Sequence, residues 1–310
     1  MKKLLKILFR ILLFILGFIV LLIVLVCIKS AFTKFVPENY TELVKTGGSI
    51  EAEYLSMGEY EVSCHEKKVE DSARKVLIFY PTVLENTQRE FPVVVFVNGT
   101  GVVASKYTAL FEHLASWGFV VVGNEEQESW NGNASETSLC YLLSENQNPD
   151  SVFYQKIDTQ NIGVSGHSQG GAGVFTTITE HEHSDLYKTA IALSPTNEEQ
   201  AISLQWSYDL TKITIPIMLL AGTEGDFETQ MVIPLEKMEE MYDKISAPKL
   251  MARRVDSEHG EMLYEADGYV TAWFMWQLQG DLHAASAFVG EKPEIMTNHM
   301  YINQNSNISE

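Results

Sequence analysis

The chain has 310 residues, 45% of them apolar, and a formal net charge of −19. That length is enough for one large core. The acidic balance repels nucleic acid and anionic lipid headgroups, and neither is expected as a partner.

Residues 1–30 read as a cytoplasmic basic stub followed by a transmembrane anchor. Lys2, Lys3, Lys6 and Arg10 precede an uncharged apolar run of 18 residues, Ile11 to Ile28, the length at which a membrane-spanning helix is the default reading. The run exceeds the ~7–15 apolar residues of a cleaved signal peptide, and no small-x-small cleavage site follows it. Val26 stands before Cys27, where a lipid-attachment site wants a small residue. Four positive charges ahead of the run, against Lys29 and Lys34 after it, place the N-terminus in the cytoplasm. The protein is thus expected as a single-pass membrane protein with the rest of the chain outside. Residues 31–57 are expected as a juxtamembrane connector, 58–295 as the main domain and 296–310 as a C-terminal tail. Cys64 and Cys140, the cysteines beyond the anchor, are open to a disulfide or to two free thiols.

Past the connector, short runs rich in Val, Ile and aromatic residues alternate with amphipathic stretches. KVLIFYP (75–81) and FPVVVFVNG (91–99) are near-continuous apolar runs, as strands buried on both faces are. ASKYTALFEHLASWG (104–118) has apolar residues at helical spacing and a closing Gly. There follow a strand at 119–125, a helix at 135–146, a strand at 161–166, a helix at 170–181, strands at 189–195 and 215–222, a helix at 232–245, a strand at 249–255 and a helix at 267–280. This alternation predicts an α/β fold with a mostly parallel central sheet and helices on both faces. Residues 281–310 are weakly patterned and left unassigned.

One loop carries chemistry. Gly166-His167-Ser168-Gln169-Gly170 fits G-x-S-x-G between a strand and a helix, a turn so sharp that bulky flanking residues would clash. It lifts the serine hydroxyl to a helix N-terminus, where backbone N–H groups and the helix dipole favour an anion. A serine hydroxyl needs a base, and the base needs a carboxylate. His259, in the loop after strand 249–255, reaches the carboxyl edge of the sheet. His181 and His183 lie at the far end of the helix after Ser168 and read as a solvated helix end. For the acid, the loop GTEGDFE after strand 215–222 offers Glu224, Asp226 and Glu228. Asp226 is the expected partner, because its short side chain holds a tight geometry, with Glu224 in reserve. The N–H groups of Thr100 and Gln169 are the expected oxyanion donors. His167, carried beside the nucleophile, reads as a wall of the site, and Trp130 and Trp206 as candidate substrate contacts.

The segments FPVVVFVNGTG, NIGVSGHSQGG, IPIMLLAGTEGD and EHGEMLYEADGYVTAWFMWQLQGD, with their spacing, resemble the α/β-hydrolase superfamily, in the branch of dienelactone-hydrolase-like, chlorophyllase-like and cutinase or polyester-hydrolase-like enzymes. The resemblance covers most of residues 58–295. It implies an α/β-hydrolase fold and a serine hydrolase acting on a small or polymeric carboxylic ester without cofactor or metal. On it, Ser168 falls on the nucleophile, Asp226 on the acid, His259 on the base, and Thr100 and Gln169 on the oxyanion hole. Two positions depart from the cutinase-like pattern. Gln169 stands where Met is usual and Asn98 where Pro or His is common, and both are expected at the acyl pocket or its entrance.

Other readings compete for the same residues. GTGVVA (99–104), with Glu125 and Glu126 at the end of the next strand, also fits a dinucleotide-binding fingerprint, but leaves Ser168, Asp226 and His259 as coincidence. A membrane-tethered binding protein on a catalytically silent fold is a second reading. An amidase or peptidase using the same triad is a third.

Overall fold

The computed structural model describes residues 34–309, so the expected anchor, Ile11–Ile28, lies outside the described residues. Among the described residues no helix is long and apolar enough to cross a membrane. A nine-stranded sheet is built from β1 (Val62–Lys68), β2 (Lys75–Pro81), β3 (Phe91–Val97), β4 (Val120–Asn124), β5 (Ile157–His167), β6 (Tyr187–Leu193), β7 (Ile217–Gly222), β8 (Lys249–Arg254) and β9 (Tyr301–Ser306), in the order β1-β2-β4-β3-β5-β6-β7-β8-β9. The six strands from β4 to β8 run parallel. The strands β1, β2 and β9 are antiparallel to their neighbours.

The continuous apolar runs follow from this arrangement. Successive residues of β3 point to opposite faces: Val94 and Phe96 join one core cluster, Val93, Val95 and Val97 the other. Both faces are covered by helices, so neither set is free to be polar. The first cluster packs under α1 (Ser49–Leu55), α2 (Thr108–Ser116) and α7 (Asp267–Gln279). The second packs under α3 (Asn133–Gln147), α4 (Gln169–Glu180) and α6 (Leu235–Lys244). A short helix, α5 (Glu198–Ser203), lies in the connection from β6 to β7.

The folded unit is longer at both ends than the expected 58–295, running from Val36 to the C-terminus. The segment expected as a connector supplies Val36, Tyr40, Tyr54 and Leu55 to the core. Glu51 on α1 is the reason it stays. Its carboxylate, 1% exposed, pairs with Arg254 at 2.9 Å and accepts from Asn298 Nδ2 at 2.7 Å and from the Tyr301 hydroxyl at 3.2 Å. An ion pair this deeply buried holds only if its remaining hydrogen-bonding positions are filled. The C-terminal segment fills them, and β9 closes the sheet edge beside β8. Neither β1 nor β9 announces itself in sequence, since VSCHEKK and YINQNS are half-exposed edge strands with polar outer faces. Cys64, exposed on β1, and Cys140, on α3, are both free thiols.

Candidate active site

At the carboxyl end of β5 the chain reverses into α4 through Ser168, whose backbone (φ 61°, ψ −121°) lies in a region that non-glycine residues rarely occupy. The flanking glycines make the reversal possible. A Cβ on Gly166 would stand 2.4 Å from Gly170 O, and one on Gly170 would stand 2.1 Å from Val97 O. The elbow therefore sits directly against the end of β3, and the loop after β3 runs beside it. A Cβ on Gly99 would lie 3.7 Å from Ser168 Cβ. Gln169 is the first residue of α4, where an N–H has no intrahelical acceptor. Thr100, exposed, follows Gly99 in the neighbouring loop.

His259 reaches Ser168 from the loop after β8. Its Nε2 is 2.8 Å from Ser168 Oγ, and its Nδ1 is 2.6 Å from Glu228 Oε2. The carboxylate partner is thus Glu228 and not Asp226. The chain leaves β7 with Glu224, Gly225, Asp226 and Phe227 turned out to solvent, then winds through a π-helical turn, Phe227–Val232, which swings Glu228 back beneath the sheet edge. The longer side chain covers the remaining distance. Glu228 is fully buried, and its Oε1 accepts from Gly222 N–H and from the Ser194 hydroxyl, each at 2.6 Å. The loops carrying acid and base are laced together, since Thr223 N–H and Glu224 N–H both donate to Ser257 O, at 3.1 and 3.0 Å.

His167 has a different place from the wall expected of it. The ring is 5% exposed and packs on that of His259, with centroids 4.6 Å apart. Burial pushes its imidazole down to about 3, and the neighbouring His259 adds to the fall. It is therefore neutral, and Nε2 carries the proton it donates to His259 O at 2.7 Å. His167 pins the backbone of His259.

The two departures from the cutinase-like pattern also face inward. The Gln169 side chain is buried and accepts from Ser129 N–H at 2.8 Å. Asn98 donates to Asn124 O at 2.8 Å and Glu126 O at 2.9 Å, and accepts from the Tyr107 hydroxyl. Both organise the loop after β4 instead of lining an acyl pocket. Trp130 and Trp206 are half-buried, and among the described residues the rings packed on that of His259 are His167 and Phe227. The aromatic that does reach the site is Phe227. It is 52% exposed and meets the His259 ring edge-on, 4.9 Å between centroids. Its signal in sequence was only its place beside Glu228. Glu125, the acid a dinucleotide site would need, is engaged by Ser105 N–H and Oγ, both at 3.0 Å.

A parallel sheet carrying a strained Ser168 elbow at its carboxyl edge, with His259 and Glu228 hydrogen-bonded in series behind it, defines an α/β-hydrolase. The family model described as PETase, PET hydrolase-like, matches residues 46–254, and the chain belongs to that family, in the cutinase and dienelactone-hydrolase-like branch of the superfamily. The matched stretch contains Ser168 and Glu228 and ends just before His259. No curated protein matches the chain in sequence.

Proposed function

We propose that this protein is a membrane-anchored serine hydrolase of carboxylic esters, working outside the cell membrane through an acyl-enzyme on Ser168. The observation that carries the reading is the unbroken hydrogen-bonded series from Glu228 through His259 to Ser168 on a strained elbow. Glu228 Oε2 accepts from Nδ1–H, which leaves the Nε2 lone pair facing the serine hydroxyl. As Oγ attacks the ester carbonyl, its proton passes to Nε2, and Glu228 stabilises the imidazolium that forms. The carbonyl oxygen, now anionic, lies at the N-terminus of α4, where Gln169 N–H and, from the adjacent loop, Thr100 N–H are its donors. The proton on Nε2 then goes to the leaving alcohol, and water deprotonated by the same nitrogen releases the acid. Membership of a PET hydrolase-like family supports an ester, small or polymeric, as the substrate class. The charged-then-apolar N-terminus supports the anchor and its orientation.

The test is labelling and turnover together. A fluorophosphonate should modify the wild-type protein and not Ser168→Ala, and a short-chain nitrophenyl ester should be hydrolysed by the wild type with turnover lowered by several orders of magnitude in the variant. A folded Ser168→Ala protein that keeps most of its activity would falsify the nucleophile assignment. External protease on intact cells tests the topology: a shielded domain, or a released form beginning near residue 30, overturns the anchored reading.

A further inference from the structure

At the far end of α4 from Ser168, about 18 Å along a helix of this length, three side chains of different chemistry meet. Glu136 and Cys140 sit one turn apart on the same face of α3, and His183 comes in from the turn that follows α4. His183 Nδ1 is 2.6 Å from Glu136 Oε1 and 3.6 Å from Cys140 Sγ, and Cys140 Sγ is 3.8 Å from Glu136 Oε1. The ester-hydrolase chemistry uses none of them.

We infer that Glu136, Cys140 and His183 form a binding site for a divalent metal ion of the zinc class. A tetrahedral zinc ion with bonds of about 2.0–2.3 Å to nitrogen, oxygen and sulfur has ligand–ligand edges of about 3.4–3.6 Å. The nitrogen–sulfur edge, 3.6 Å, is at that length already, and the oxygen–sulfur edge, 3.8 Å, is about 0.2 Å over it. The third, between nitrogen and oxygen, is a hydrogen bond in the metal-free protein and must open by about 0.8 Å to meet the same geometry. Glu136 has the means to do it. Its other oxygen, Oε2, is buried with no hydrogen-bond partner among the described residues, so a rotation of the carboxyl offers an unused oxygen to the ion.

An unsatisfied buried carboxylate oxygen within a Cys, His and Glu trio is unusual in a native fold, and an ion would satisfy it.

The charges balance. One thiolate and one carboxylate neutralise a divalent ion, neutral imidazole completes the protein ligands, and the thiol proton leaves to solvent as the Cys140 Sγ–metal bond forms. Thiolate with imidazole selects zinc-class ions over magnesium or calcium, which take oxygen ligands. His183 is 29% exposed and Glu136 16%, which leaves an entry path and a fourth position for water. The bound ion would tie α3 to the turn after α4, adding to the Glu136–His183 hydrogen bond that already joins them. The inference stands apart from the ester-hydrolase reading.

The experiment is titration of the full-length protein, in mild detergent and a phosphine reductant, with Co²⁺ as a spectroscopic stand-in and then with Zn²⁺ by calorimetry. One equivalent should bind with Kd near or below the micromolar range, with a thiolate-to-cobalt charge-transfer band that Zn²⁺ displaces. Cys140→Ser should abolish the band, and Glu136→Gln or His183→Ala should weaken binding at least tenfold. Nitrophenyl-ester turnover in metal-free Cys140→Ser should match the wild type, which shows that it is folded and separates this site from Ser168. Absence of a stoichiometric charge-transfer band in the wild type overturns the proposal. So does metal binding that survives Cys140→Ser with unchanged affinity. Should Cys140→Ser fail to fold, the Glu136→Gln and His183→Ala affinities decide alone, and unchanged values in both overturn it.

Discussion

Replacing Glu228 by Gln tests the acid assignment at a single atom. Glu228 Oε1 accepts two hydrogen bonds, from Gly222 N–H and Ser194 Oγ, while Oε2 accepts one, from His259 Nδ1. A glutamine has one oxygen and one NH₂ group. The buried backbone N–H of Gly222 and the Ser194 hydroxyl both need an acceptor at Oε1, so the amide oxygen takes that position and NH₂ faces Nδ1. Nδ1 must then be the unprotonated nitrogen, and Nε2 carries a hydrogen toward Ser168. The imidazole is held in the tautomer that cannot accept the serine proton, and the buried charge that would stabilise an imidazolium is gone. Loss of an orienting carboxylate of this kind costs about 10³–10⁴ in kcat, which is about 4–5.5 kcal/mol of transition-state stabilisation. Asp226→Asn, an exposed change two residues away, should stay within about tenfold of wild type, as should Glu224→Gln. The assay is kcat/KM on one nitrophenyl ester for all three variants at one pH, with thermal melting as the check on folding. If Asp226→Asn is the crippled protein, or if folded Glu228→Gln keeps more than a tenth of wild-type activity, His259 is not oriented as the structure shows.

His167→Ala should lower kcat about 10–100-fold with little change in KM, because the His259 backbone loses its tether and the base shifts by a fraction of an ångström. The same variant should alter acid stability: the folded imidazole at about 3 stays neutral while the unfolded one, near 6.5, takes up a proton, so wild-type stability falls as pH drops from about 6.5 toward 3. By pH 5 that component amounts to about 2 kcal/mol, and urea melts at pH 7 and pH 5 should show a smaller drop for the variant; parallel drops refute it. Gly170→Ala drives a Cβ to 2.1 Å from Val97 O and 2.5 Å from Asn98 O, both backbone atoms, and should abolish folding or lower Tm by more than about 10 °C, read by circular dichroism. Phe227→Ala should raise KM for aryl esters by about 2–10-fold relative to short aliphatic ones, the range of one aromatic contact; equal effects on both series would remove Phe227 from substrate contact. Glu51→Ala takes from Arg254 its fully buried carboxylate partner, leaving Glu265 at 3.2 Å as the remaining one, and should destabilise the protein toward the low end of about 3–5 kcal/mol in denaturant titrations, without changing the KM of what remains folded.

The parts of this protein that sequence determined by itself are those whose cause is local. Ser168 was legible because the elbow needs glycines at two fixed offsets, and the clash distances at Gly166 and Gly170 show why. The parallel strands were legible because burial on two faces leaves no polar position, as β3 shows residue by residue. His259 could be placed because it follows a strand whose carboxyl end had to lie at the same sheet edge. Tertiary structure alone decided the rest. Sequence favours Asp226 over Glu228 because a short side chain holds a tight geometry, but the π-helical turn leaves Asp226 in solvent and turns Glu228 inward. Which acid turns inward depends on donors from Gly222 and Ser194, the second just past the end of another strand. His167, Gln169 and Asn98 flank the elbow and its neighbouring loop in sequence and looked like pocket walls. Their partners, His259 O, Ser129 N–H and the Asn124 and Glu126 carbonyls, lie 26 to 92 residues away, and only the fold brings them into reach. Glu51 and Arg254, 203 residues apart, carry no pattern at all in the chain. Their pairing is why residues 36–57 and the C-terminal strand belong to the folded unit: a buried charge stays buried only where distant segments close around it.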